Sequence, residues 1–523
     1  MATTIEDIKR ALWKGADTFR GTIDAANYKD FVLSMLFIKY LNDTYDEYVK
    51  DLEKKYENPV RFERAKKNLP FVLADEHQFT YLYDNRNDPK IGELINGALQ
   101  GIEDNNVELR GVFRSINFNS EAMLGNPKQK ITKLRNLLED FEPLDLHPSN
   151  IETGVGQDPA DVIGDAYEYM IGEFASQAGK KAGSFFTPPM VSELMARLVA
   201  PQRNDELYDP TCGSASLLIR AAKQAGIHEV AIYGQEMNGS SWSMARMNLF
   251  IHKILGANIG WGDSLSNPLH LDSDGNLKQF DVIVANMPFS QDKWAEGFNP
   301  GGELDGNDDK NKKFTMTANL DKYHRFDWGV PPASKGDWAF LLHMIHSLKS
   351  NGRMAAVVPH GVLFRGSSEG RLRQTVIEKN LLDAVIGLPA NLFFGTSIPA
   401  CILVFKKNRT TKDVLFIDAS GKDSEGNFRY IKDKNQNKLG FEHIKDILDA
   451  YTARQDVEKF AHVASYDEIK GNDYNLNIPR YVDTFEEEEL IDIEEVQGNI
   501  DRIKAELIEV EGQMADFLKE LGL

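Results

Sequence analysis

The chain has 523 residues, with a hydrophobic fraction of 42% and a charged fraction of 27%, ordinary values for a folded protein of more than one domain. Its 60 basic and 80 acidic side chains leave a net charge of -20, so a grip on nucleic acid is expected to be local or supplied by a partner. No apolar run nears the roughly 20 residues of a membrane span, the start MATTIEDIKRALWKG lacks the apolar core of a signal peptide, and the two cysteines, Cys212 and Cys401, exclude a disulfide framework, so a cytoplasmic protein is expected.

Residues 1–145 read as a helical domain: YKDFVLSMLFIKYLNDTYDEYV places Phe31, Met35, Ile38 and Leu41 on one stripe, and KQKITKLRNLLEDF repeats the pattern. The polar stretch over 146–161 reads as a linker. From 162 to 475 short β-rich runs alternate with helices. ELYDP, EVAIYGQE, NIGWGDS, QFDVIVAN, RMAAVVP, LLDAVIGLP and ACILVFKK are the expected strands. ASLLIRAAKQAG, WSMARMNLFIHKILG and GDWAFLLHMIHSLKSNG are expected helices, which predicts an α/β domain with a mostly parallel sheet covered on both faces. A long polar loop lies between Ser290 and Pro332, a length that is either functional or without order. In 476–523, Ile493, Val496, Ile500, Ile503, Leu507, Val510, Met514, Phe517 and Leu521 recur three and four apart. That is a heptad seam, expected either to pack on its own domain or to form a coiled coil with another helix.

The chemistry gathers at strand ends, where open α/β sheets bind ligands. LYDPTCGSASLLI ends a strand at Asp209, turns through Gly213 and Ser214, and starts a helix whose N–H groups are donors. The next strand ends in Glu236, 23 residues after Gly213, near the spacing for a carboxylate that accepts hydrogen bonds from a ribose diol. A third ends before Asp263. The fourth, DVIVANMPF, stops at Asn286, followed by Met287, Pro288 and Phe289. There is no GxxxxGK[ST] run, which disfavours a nucleotide triphosphate.

DPTCGS, the acidic end of the second strand, GDS and N-x-P-F stand in the order of amino-methyltransferases that use S-adenosylmethionine, in the N6-adenine subgroup, and GSFFTPP precedes them. With GDWAFLLHMIHSLKSNGRMAAVVPHGVLFRGSSEGRLR, GLPANLFFGTSIPACILVFKK, the helical first domain and the terminal helix, nearly the whole chain resembles the modification subunit of type I restriction-modification systems. The resemblance implies a Rossmann-like S-adenosylmethionine-dependent catalytic domain. Its cofactor residues would be Ser184, Phe185, Phe186, Thr187, Pro188 and Pro189, then Asp209, Gly213, Ser214, Ala215 and Ser216, with Glu236 and Asp263. It implies methyl transfer to N6 of a flipped adenine in DNA. Two modification subunits would flank a specificity subunit that reads the sequence, with a restriction subunit in the full complex.

Asn286, Met287, Pro288 and Phe289 are then the expected catalytic group. An adenine amine is a weak nucleophile because its lone pair is delocalised into the ring. Two acceptors on its N–H groups, the Asn286 side-chain oxygen and the carbonyl of residue 287, would pull the nitrogen towards tetrahedral geometry. Pro288 forces residue 287 to be extended, and Phe289 offers a stacking face worth roughly 1–3 kcal/mol. Positioning and electrostatics suffice, so no metal is expected. Met287 stands where the family has proline, which predicts a looser loop. The runs KNKK and KYHR, in the long loop, are expected either to meet the DNA backbone near the flipped base or to form a merely solvated loop. Two other readings remain at this stage: a methyltransferase acting on a non-DNA amide or amine, and a catalytically weakened assembly subunit.

Overall fold

One long helix, Ala25–Lys55, organises the N-terminal region of the computed structural model, which describes residues 2–178, 186–299, 314–394, 396–434, 436–483 and 493–522. The predicted apolar stripe is there, but the helix is buried on every side from Phe31 to Tyr45. Helices Ile5–Asp17, Pro127–Phe141 and Pro159–Ala178 surround it, so its polar residues need internal partners. Lys39 donates to Asp43 Oδ1 at 2.8 Å, and the other Asp43 oxygen takes the Leu146 N–H at 2.8 Å. His147 bridges Asp145 and Asp46, at 2.6 and 2.9 Å, so the stretch after the first domain is tied back onto this helix.

Among the described residues, nine strands make one sheet: β1 Glu206–Asp209, β2 Ala231–Glu236, β3 Asn258–Trp261, β4 Phe280–Asn286, β5 Leu348–Pro359, β6 Leu382–Gly387, β7 Ala400–Lys406, β8 Val414–Asp418 and β9 Ala461–Ala464. Their order is β3-β2-β1-β4-β5-β7-β6-β8-β9. Pairing is parallel except where β7 meets β5 and β6 and where β9 meets β8. The seven expected strands are all present; β8 and β9 extend the sheet beyond them. Successive residues point to opposite faces. Leu207, Val282 and Val284 enter the core shared with helices Pro189–Val199 and Ser216–Ala225, whereas Tyr208, Ile283 and Ala285 enter the core under helices Asp337–His346 and Ser367–Glu378. Burial on both faces accounts for the nearly unbroken apolar runs.

Parallel pairing brings the carboxyl ends of β1, β2, β3 and β4 to one edge, and the strand order reverses between β1 and β4. A crevice for ligand belongs at such a reversal. Residues Asp483–Leu523 form a separate unit, whose helix Ile493–Glu520 has Val496, Ile500, Ile503, Leu507, Val510, Met514 and Phe517 exposed. No helix among the described residues is long and apolar enough to cross a membrane.

Candidate active site

The chain leaves β1 at Asp209 through a tight turn with left-handed backbone. Gly213 has φ +53° and Ala215 +62°, so two left-handed positions fall within three residues, the second capping helix Ser216–Ala225. The turn is held from outside. Gly213 N–H donates to Glu236 Oε2 at 2.9 Å, Cys212 N–H to the Gln235 carbonyl at 3.1 Å, and Asn248 Nδ2 to the Ser214 carbonyl at 3.0 Å. Glu236 also takes the Asn238 N–H, at 2.7 Å, so each of its oxygens already accepts one backbone group. Burial raises its carboxyl above the usual range.

Asp209 faces the hollow inside this turn. It accepts the Thr211 N–H at 2.9 Å and is 2% exposed. Burial, opposed by that hydrogen bond and reinforced by the charge of Glu236, pushes its carboxyl up to about 8. The Cys212 thiol, buried beside it, is pushed well above its ordinary value.

Asn286 closes the hollow from the end of β4. Its Nδ2 donates to Thr187 Oγ1 at 3.1 Å, which fixes the plane of the amide. The Oδ1 atom is buried and has no partner among the described residues. A buried acceptor without a donor costs about 1–3 kcal/mol unless something fills it. Phe186, Thr187, Asp209, Gly213, Ser214, Ser216 and Asn286 line one cavity. Residues from three separate predicted stretches therefore meet at one place.

The other predicted residues stand around it. Pro188 and Pro189 border the neighbouring cleft, with Phe186 and Thr187 on the shared wall. Met287 is turned into the core, 1% exposed, so its side chain fills space and leaves the main chain to the site. Pro288 is half-buried. Phe289 is half-buried and meets Phe393 edge to face, with centroids 5.7 Å apart. Asp263 is absorbed by its own turn, accepting the Leu265 N–H at 2.9 Å, and does not line the cavity. Ser184, Phe185 and the KNKK run lie outside the described residues.

The stretch after Phe289 is fastened more tightly than its sequence suggests. Ser290 adopts φ +51°, and its N–H donates to Asp337 Oδ1 at 2.7 Å. Asp337 is fully buried and pairs with Arg365, whose Nε reaches Glu369 at 2.5 Å. Gly336 N–H adds a bond to the Gln291 carbonyl at 2.8 Å. These bonds anchor the chain just after Pro288 and Phe289. Thr211, Cys212 and Leu217 also line the cavity and were not among the predicted residues, although they sit inside the quoted motif. Phe393 was missed too; its signal was the aromatic pair in GLPANLFFGTSIP.

Within KYHR, Lys322 and His324 are exposed but Arg325 is not. Arg325, expected to face a DNA backbone, is fully buried. Its guanidinium pairs with Asp321 at 2.7 Å and donates to the Leu265 carbonyl at 2.6 Å and the Ser264 carbonyl at 3.4 Å. Burying a guanidinium carries a desolvation cost, which the Asp321 carboxylate and the carbonyls of Ser264 and Leu265 offset here. It pins this loop to the turn after β3.

The N-6 DNA Methylase family profile matches residues 158–490, and the HsdM N-terminal domain profile matches residues 8–141. The type I restriction enzyme MpnII methylase subunit of Mycoplasma pneumoniae is 31% identical, over 98% of this chain and 96% of that protein. The MjaVIII methylase subunit of Methanocaldococcus jannaschii is 30% identical, over 98% of this chain and 84% of that one. A solved structure of the type I restriction-modification system methyltransferase subunit from Streptococcus thermophilus superposes with a TM-score of 0.77 at 36% identity, covering 92% of this chain and all of that one.

Proposed function

This chain belongs to the N-6 DNA methylase family, among the methylase subunits of type I restriction enzymes, and from that premise we propose that the cavity at Asp209, Gly213 and Asn286 is where it methylates adenine N6 in duplex DNA. The methyl donor is S-adenosylmethionine. The single observation that carries the assignment of the site is Asn286 Oδ1, buried, unpartnered, and held in plane by Thr187.

The residues fit that cofactor. The left-handed turn at Gly213 lets main chain approach a ligand closely, and the start of helix Ser216–Ala225 offers donors. Asp209 is a buried carboxyl raised to about 8, and it gains most from a cationic neighbour. Glu236 keeps a second lone pair on each oxygen for the ribose hydroxyls. When bound, S-adenosylmethionine supplies an electrophilic methyl group on a positive sulfur.

The chain's own groups do the rest. Asn286 Oδ1 accepts one N–H of the adenine amine, and the Met287 carbonyl accepts the other. The nitrogen lone pair is thereby drawn out of conjugation and can be aligned with the methyl group. Pro288 keeps residue 287 extended, while Asp337 and Arg365 hold Ser290, so the two acceptors stay at a fixed separation. Phe289, braced by Phe393, offers its face to the extruded base. The side chain of Met287 takes no part, so its departure from the family pattern leaves this arrangement whole.

The chain acts with DNA in a complex containing a specificity subunit and a restriction subunit. We assign two methylase subunits to each specificity subunit, a cytoplasmic location, and docking through helix Ile493–Glu520, whose apolar stripe is exposed. Labelled methyl transfer from S-adenosylmethionine to duplex DNA tests the activity. The co-expressed complex is expected to label adenine N6. A chain ending at residue 482 should bind the cofactor and fail to co-purify with the specificity subunit. Label on another base sinks the substrate assignment, and co-purification of the shortened chain sinks the docking assignment.

Thr187→Val tests the amide plane. Valine keeps the shape and removes the acceptor of the Asn286 N–H, so cofactor affinity should hold while methyl transfer falls about 10-fold or more. An unchanged rate in a single-turnover assay would show that Thr187 does not orient the amide.

A further inference from the structure

Strand β8 ends at Asp418, on the same sheet edge as Asp209 and Asn286, and the chain makes two short turns before helix Phe441–Ala453. In the first turn the Asp423 carboxylate takes the N–H groups of Glu425 and Asn427, both at 2.9 Å, and Lys422 pairs with Phe428. In the second, Ile431 pairs with Lys438. The return limb is bonded to the loop that carries Phe393. Asn437 N–H donates to the Asn391 carbonyl at 2.9 Å, its side-chain amide to the Ala390 carbonyl at 2.8 Å, and Gln436 Nε2 to the Leu392 carbonyl at 2.7 Å. Gln436 and Lys438 also wall the cleft that Phe186, Thr187 and Ser216 border. The double turn is thus fastened to the rim of the site.

Its sequence carries a basic excess against the net charge of the chain. Five basic and three acidic side chains lie between Gly421 and Gly440, in a chain of net charge -20. Phe428 is 40% exposed, with Lys422 and Lys432 ammonium groups 5.7 and 5.2 Å from its ring centroid. Lys432 and Lys434 are exposed, and among the described residues neither has a carboxylate within ion-pair distance. Cations left unneutralised beside a ring that steadies one of them suit a polyanion better than a protein surface.

A base turned out of a duplex stays attached to its strand, so the phosphates on either side of it must pass the rim of the pocket that receives it. We propose that the double turn after β8 is a contact for the duplex DNA backbone, with Lys432 and Lys434 neutralising phosphates next to the extruded adenine. The proposal rests on the reading of the Asn286 cavity as the adenine site. It adds a positioning contact that Arg325, being buried, does not make.

The test is the double variant Lys432→Gln, Lys434→Gln in the assembled complex without cofactor, titrated with a labelled random-sequence duplex of about 30 base pairs at several salt concentrations. Two lost phosphate contacts should reduce the slope of log affinity against log salt by up to about 2, with affinity at physiological salt lower by about 10-fold. Cofactor affinity and melting temperature should be unchanged. An unchanged slope and affinity overturns the proposal. So does loss of co-purification with the specificity subunit, which would assign the surface to that protein. Methyl transfer by the unaltered complex is read separately. If it labels adenine while the slope stays fixed, only this contact fails; if it labels no adenine, the adenine-site reading fails whatever the slope does.

Discussion

Asn286→Ala should reduce methyl transfer by at least about 100-fold while cofactor affinity stays within about twofold. The variant removes a buried acceptor that has no donor among the described residues, leaving the Thr187 hydroxyl and the Asp209 turn in place. Alanine also forfeits the N–H donated to Thr187, so its cost in stability should be that of one hydrogen bond, about 0.5–1.5 kcal/mol. Asn286→Asp keeps an acceptor and loses the N–H to Thr187, so it should fall between wild type and alanine. Single-turnover transfer of labelled methyl, with calorimetric titration of the cofactor, separates the chemical step from binding. Full activity in the alanine variant would remove the amide from the mechanism.

Asp209→Asn should make the unliganded protein more stable and its cofactor binding weaker. The Asp209 carboxyl is raised from 3.8 to about 8. The neutral form therefore favours the folded state: its contribution is complete below about pH 4, declines as pH rises, and is gone above about pH 8. Asparagine, neutral throughout, should raise the melting temperature by about 3 °C at alkaline pH and change it little in acid. A cationic ligand favours the ionised carboxylate, so binding below about pH 8 must release a proton, and wild-type affinity should rise with pH up to that value. The variant should bind about 10-fold or more weakly at alkaline pH, with no such rise. Calorimetry in buffers of different ionisation heat counts the proton. Wild-type affinity that is flat with pH would take Asp209 out of contact with the ligand.

How far the sequence showed all this depends on the distance over which each contact acts. The strand ends at Asp209, Glu236 and Asn286 were legible because apolar runs buried on both faces stop abruptly at a polar residue. Register in a parallel sheet then brings them to one edge without further information. The central place of helix Ala25–Lys55 was hidden, since a stripe through Phe31 and Leu41 looks the same whether the opposite face meets water or Lys39 and Asp43 meet each other. Strand β9 is four residues long with two half-buried positions, too short to carry a period. Asn286 and Thr187 lie 99 residues apart and Ser290 and Asp337 47 apart, so neither bond leaves a local pattern. Arg325 was misread for a related reason. KYHR resembles a solvated basic run until Asp321 and the carbonyls of Ser264 and Leu265 are seen around it.

Both thiols of this protein are sealed. Cys212 lies in the Asp209 turn and Cys401 in the middle of the sheet on β7, and burial pushes each above its ordinary value, so reactive thiolate is scarce while the fold is closed. An alkylating reagent can thus modify them only during transient opening, at Cys212 when the turn loosens and at Cys401 when the sheet comes apart. The native chain carries two chemical clocks, one timing local breathing of the pocket and the other timing collapse of the whole sheet.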